Sequence, residues 1–160
     1  MALDAKLTPI YLNDHLAGST TGLALARRAL SSNRGTPFEP FLETLAEQIA
    51  EDRTTLQQVM RALDVGEDHV KKLAALAAER VGRLKLNGSL LSYSPLSRLV
   101  ELEGLALGVT GKLAMWRVLQ ELDDPRLAQF DLPGLAERAE AQRDGIELQR
   151  LEAARLALGN

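Results

Sequence analysis

Apolar residues recur three and four positions apart over long stretches of this chain, which is the period of one face of an α-helix. The second stretch shows it most clearly. Phe41, Leu45, Ile49, Leu56, Val59 and Leu63 share one stripe, and Asp52 falls on the same stripe. A third stripe runs through Leu99, Leu102, Ala106, Val109, Leu113 and Trp116. A fourth runs through Leu135, Ala139, Gln142, Ile146, Gln149, Ala153 and Leu156. Start signals precede each helix. Leu7-Thr8-Pro9 reads as a hydrophobic staple, an N-cap and a proline at the first helical position, where a missing N–H loses no bond. Thr36-Pro37-Phe38-Glu39 repeats the signal with Glu in the capping-box place, and Ser94-Pro95 and Asp131-Leu132-Pro133 open the remaining two. Stops stand at Ser31 to Gly35, at Gly66 and at Asp123-Asp124-Pro125, and Gly159 provides a C-terminal cap. Long helices are therefore expected over about 9–30, 37–63, 95–121 and 132–158, with an accessory helix over about 69–86 that Asn87-Gly88 breaks.

The four long helices have similar lengths and would span about 33–40 Å each. Short connections make the first and second, and the third and fourth, antiparallel pairs. The long middle connection can cross the bundle. One long crossover between two helical hairpins is a ferritin-like topology. In helix lengths, in the crossover with its accessory helix, and in the stretches YLNDHLAG, YSPLSRLVELEGL and QRLEAAR, the chain resembles small bacterial ferritin-like bundles without an assigned activity. That resemblance implies an all-α, up-down-down-up four-helix bundle with an additional helix in the crossover, as a single domain over 1–160. Di-iron members carry Glu on two helices and Glu-x-x-His on the other two. Here the histidines are His15 and His69, and the positions three residues before them hold Leu12 and Gly66, so the usual di-iron motif is missing.

Composition narrows the function classes. The chain is 46% hydrophobic and 26% charged, which suits a folded domain of 160 residues. Leu and Ala supply most of the apolar surface, and only three Phe, two Tyr and one Trp are present. A net charge of −3 gives no general attraction for nucleic acid or anionic lipid. Without Cys there is no disulfide, thiol catalysis or cysteine metal site. The opening MALDAKLTPIYLND does not read as a secretory signal, and no apolar run reaches membrane-span length. A cytoplasmic location is the resulting expectation. In the crossover Arg80, Arg83 and Lys85 lie close together, but Glu79 interrupts them and no aromatic residue interleaves, so a solvated helix face is expected there.

Two groups of residues stand out. Asp14, His15, Asp52, Lys112 and Gln142 fall on or beside apolar stripes. At about 1.5 Å per residue they share a layer roughly 8–14 Å above the base of the bundle. Glu103, Gln149 and Arg150 form another layer near about 24 Å, where Glu103 would pair with Arg150. The lower layer reads as ionic and hydrogen-bonded, with Lys112 or His15 balancing an aspartate, because a buried carboxylate needs a partner. A metal-handling or oxidoreductase site on Asp14, His15 and Asp52 is the alternative, although Asp14 and His15 project about 100° apart on a helix. The second group is Gly18 and Gly22 with Gly104 and Gly108, followed by Gly111. Glycine inside a helix costs about 1 kcal/mol relative to Ala, so it needs a reason. Close approach of the first and third helices is the expected one; small-ligand binding over this seam, or a dimer seam, are the others. Trp116 is expected at the base, turned inward near Tyr11 and Met60. The function expected is a non-catalytic binding or interaction module without cofactor, homo-oligomeric, with a protein or small-molecule partner and neither nucleic acid nor membrane.

Overall fold

The computed structural model describes residues 3–67 and 93–159. Among them the regular structure is entirely helical: α1 Leu7–Ser32, α2 Glu39–Ala62, α3 Pro95–Glu121, a 3₁₀ turn Pro125–Leu127, and α4 Leu132–Leu158. The expected accessory helix, with Arg80, Arg83, Lys85 and His69, lies outside the described residues. None of the described helices is long and apolar enough to cross a membrane.

Two helix starts follow the sequence reading. The Ser94 side chain accepts from the Ser97 N–H at 3.2 Å in a capping box, and Asp131 accepts from the Gly134 N–H at 3.0 Å. The first start is corrected. Thr8 lies inside α1, and Asp4 Oδ1 instead accepts from the N–H groups of Lys6 and Leu7, both at 2.8 Å. Pro9 remains within the first turn, where its missing N–H is harmless. At α2, Thr36 Oγ1 accepts from the Phe38 N–H at 3.3 Å and the Glu39 carboxylate from the Gly35 N–H at 2.6 Å. The end of α2 comes before Gly66. Asp64 takes the left-handed conformation (φ 57°), and the Val65 N–H returns to the Met60 carbonyl at 2.9 Å. Aspartate tolerates that conformation better than most side chains.

Neighbouring helices run antiparallel, as cross-helix bonds show. Asn13 near the start of α1 donates to the Gly66 carbonyl beyond α2, while Thr20 meets Arg53. Arg28 near the end of α1 pairs with Glu101 near the start of α3. Between α3 and α4, Lys112 reaches Gln142 and Arg150 reaches Glu103. Contact is most extensive between α3 and α4, then α1 with α2 and α1 with α3, whereas α2 and α4 approach only over a short stretch.

The core is built from Leu with a few larger side chains. Leu12, Leu16, Leu42, Val59 and Met60 are fully buried, as are Trp116 and Ile146. Trp116 therefore turns inward, as its spacing requires. Four positions on the expected stripes depart. Phe41, Ala106 and Gln149 are only half-buried, and Leu156 is exposed. Phe41 flanks α4, where a Cβ at Gly145 would lie 2.6 Å from its ring. Glu103, placed inward from sequence, is also exposed, although its pairing with Arg150 is present at 3.6 Å. The buried carboxylate of this segment is Glu101.

Candidate functional site

The four-residue repeat of α2 carries Asp52 into the interior, where it is 2% exposed. Two cations meet it there. Lys112 of α3 donates to one carboxylate oxygen and Arg138 of α4 to the other, and Lys112 also donates to the Gln142 side-chain carbonyl. Gln142 in turn donates to Gln48 at 2.9 Å and to Asp52 at 3.3 Å. Arg138 reaches outward to Glu51 at 2.8 Å. Charges balance, with two carboxylates against two cations. Burial holds Lys112 below the usual lysine range, and Asp52 acts in the opposite sense. The polar layer expected from Asp52, Lys112 and Gln142 is thus assembled. Arg138, which the sequence reading passed over, completes it.

Beside this layer a cavity of about 220 Å³ opens between α1, α2 and α3. Leu56, Leu105, Val109 and Trp116 form apolar wall. Asp14, His15, Ser19 and Arg53 supply polar wall, and Asp52 and Lys112 border it. Asp14, His15 and Asp52 therefore do face one space. Asp52 is already engaged by Lys112 and Arg138, however, and among the described residues no group of three His, Cys, Asp or Glu is placed to hold a metal ion. His15 is half-buried with its ring edge-on to Tyr11 at 4.6 Å between centroids, and burial lowers its pKa, which favours the neutral imidazole. Protein purified without chelator is expected to carry iron or manganese at well below one equivalent per chain by elemental analysis. Stoichiometric retention that disappears in Asp52→Ala would contradict the ionic-layer reading.

The glycines divide unexpectedly. Gly104 has the close contact expected of a helix seam, with Leu25 Cδ2 3.0 Å from where a Cβ would sit. Gly18, Gly22 and Gly108 do not. A Cβ on any of them, or on Gly111, would have nothing within 4 Å, and all four border the cavity. The expectation that Gly108 packs closely on the first helix is corrected: α1 and α3 leave space at this level. Leu107, 77% exposed, stands at the rim.

A second polar cluster ties the other end of α1 to the start of α3. The Tyr93 hydroxyl donates to Glu101 at 2.9 Å and accepts from Asn33 at 2.8 Å, and Arg28 meets Glu101 at 2.9 Å. Arg98 donates to Asn33 and lies 4.4 Å above the Phe38 ring centre. Burial raises Glu101 above the ordinary 4.5, outweighing the Tyr93 bond and the charges of Arg28 and Arg98. Between 4.5 and that raised value the native state holds more protons than the unfolded chain. The contribution of Glu101 to stability thus falls as pH rises through this window. Relative to Glu101→Gln, the wild type should lose denaturation midpoint from pH 4.5 upward. Parallel pH curves for the two proteins would refute this. No residue of the cluster borders the cavity, and its bonds join structural elements. Asn33 and Tyr93 gave no sequence signal, since one lies in a turn and the other precedes a cap.

In comparisons with known proteins, no family model, no curated protein and no solved structure matches this chain.

Proposed function

We propose that this chain is a non-catalytic helical module that binds a small molecule in the cavity between α1, α2 and α3, on a ferritin-like, up-down-down-up frame that lacks the usual di-iron centre. The antiparallel contacts of α1 with α2 and α3, and of α4 with α2 and α3, support the frame. One observation carries the binding reading. Gly18, Gly22, Gly108 and Gly111 interrupt two helices at a cost of about 1 kcal/mol each relative to Ala, and none has a neighbour that a side chain would strike. Close packing does not explain them: Gly18 and Gly108 are exposed and Gly22 and Gly111 half-buried along the mouth of the cavity. Departures from local consistency of this kind tend to mark functional sites.

Size supports the same reading. A dry engineered cavity of about 150 Å³ accepts benzene. The present cavity of about 220 Å³ has room for one ring with a short substituent. Of its charged lining residues, Lys112 is matched by Asp52, which Arg138 also holds from outside the wall.

Toluene serves as a probe of the cavity alone. Saturation-transfer NMR should detect its binding to the wild type, with a raised unfolding midpoint. Gly22→Leu, which places an isobutyl group in the space, should remain folded and lose the signal. Equal binding by the variant, or none by the wild type, would remove the reading.

A further inference from the structure

Four charged side chains line the cavity: Asp14, Asp52, Arg53 and Lys112. Lys112 is matched by Asp52, which Arg138, itself paired with Glu51, also holds from outside the wall. Arg53 is different. Its Nε donates to Thr20 Oγ1 at 3.1 Å and one terminal nitrogen to Gln57 Oε1 at 3.3 Å, both neutral acceptors. Among the described residues no carboxylate pairs with it, and these two bonds engage only part of its five N–H donors. Both neutral partners are themselves fixed. Thr20 donates to the Leu16 carbonyl at 3.0 Å, and Gln57 donates to Glu67 at 3.1 and 3.2 Å. A half-buried guanidinium is thus held at the cavity wall with donors remaining, the arrangement that receives a planar anion.

We infer that the molecule bound in this cavity is a small monocarboxylate with an apolar body, its carboxylate on Arg53 and its body against Leu56, Leu105, Val109 and Trp116. The inference rests on the cavity-binding reading and adds the ligand's charge. One unmatched cation suits one negative charge, and a phosphate dianion would want more. Asp14, the remaining acid at the wall, is exposed and lies six residues before Thr20 on α1, about 9 Å along the axis from the level of Arg53. Repulsion of a carboxylate from there is weak in water. His15, which burial holds toward its neutral form, adds no competing charge.

The test uses one body with three heads: phenylacetate, phenylacetamide and phenethylamine. Trp116 is the only tryptophan and lies fully buried in the packing behind the cavity wall, so its emission follows changes there. At neutral pH phenylacetate should bind about tenfold or more tightly than the amide or the amine. Arg53→Gln should remove that preference. Equal affinity of acid and amide for the wild type would overturn the carboxylate assignment, a comparison that needs no variant. So would an undiminished preference in Arg53→Gln. If toluene and all three probes bind and Gly22→Leu excludes them, but the heads are not distinguished, the cavity reading stands and this inference falls. If none binds, both fall.

Discussion

Asp52→Ala is expected to lower the free energy of unfolding by about 3–5 kcal/mol, because it strands charge that two other helices have brought inside. Lys112 is 13% exposed at its side chain and loses the one carboxylate paired with it among the described residues, and Arg138 loses its inner partner. The lost attraction is the smaller part of the effect. Most of it is the desolvation of Lys112, which Asp52 now offsets. Lys112 can respond by releasing its proton, the direction in which burial already pushes it. Removing both buried members should therefore be much milder than removing one. Asp52→Leu combined with Lys112→Met should recover most of the stability, with Arg138 still able to face Glu51. Urea denaturation of the two singles and the double closes the cycle. A loss below about 1 kcal/mol in Asp52→Ala would mean that water reaches the layer and that its charges are not buried.

The second large effect has the opposite sign. Gly18, Gly22, Gly108 and Gly111 changed together to Ala should raise stability by about 2–4 kcal/mol, the sum of ordinary helix gains of about 0.5–1 kcal/mol each. Nothing stands within 4 Å of the added methyl groups to offset the gain. The same protein should bind toluene more weakly, since four methyl groups shrink the space. Had these glycines served close helix packing, every substitution would cost stability by overpacking. Gly104→Ala and Gly145→Ala are the internal controls, because the methyl at Gly104 would meet Leu25 at 3.0 Å and that at Gly145 would meet the Phe41 ring at 2.6 Å. Both should gain less than the quadruple does per site, Gly145→Ala least, because the Phe41 ring must shift whereas the end of Leu25 has only to give by a few tenths of an ångström. Unfolding midpoints of the quadruple and the two controls decide between the alternatives.

Helix extents were legible because apolar period and capping chemistry are local. Ser94 and Asp131 cap as read, since each is the first side chain able to reach the free N–H groups. Thr8 fails because Asp4, slightly earlier, captures the chain first. The Asp52, Lys112 and Gln142 layer could be located by arithmetic, since the rise per residue is fixed and the pairing of helices follows from loop length. Arg138 could have been found the same way. It lies four residues before Gln142 and so on the same face, but a charged side chain does not register in an apolar period. The exchange of Glu101 for Glu103 has a different cause. Two residues apart on a helix is about 200°, and α3 is apolar around most of its circumference, so its pattern does not fix which face turns inward. The glycines show where sequence stops. Glycine signals that a side chain is missing, but whether a neighbour or a void takes its place depends on the distance between two helices, which no local pattern encodes.

The short contact between α2 and α4 has a consequence for motion. Three of the four neighbouring helix pairs share long flanks, and the fourth is bridged largely by long polar side chains, with Phe41 against α4. The weakest cut through the bundle therefore runs between α2 and α4, and the α1–α3 flank on the opposite side is its spine. Fluctuations short of global unfolding should follow that cut, as a book opens, so that amide protons of α2 and α4 exchange through a cheaper opening than those along the α1–α3 spine. The cavity between α1, α2 and α3 borders that flank, away from the line along which the bundle would part.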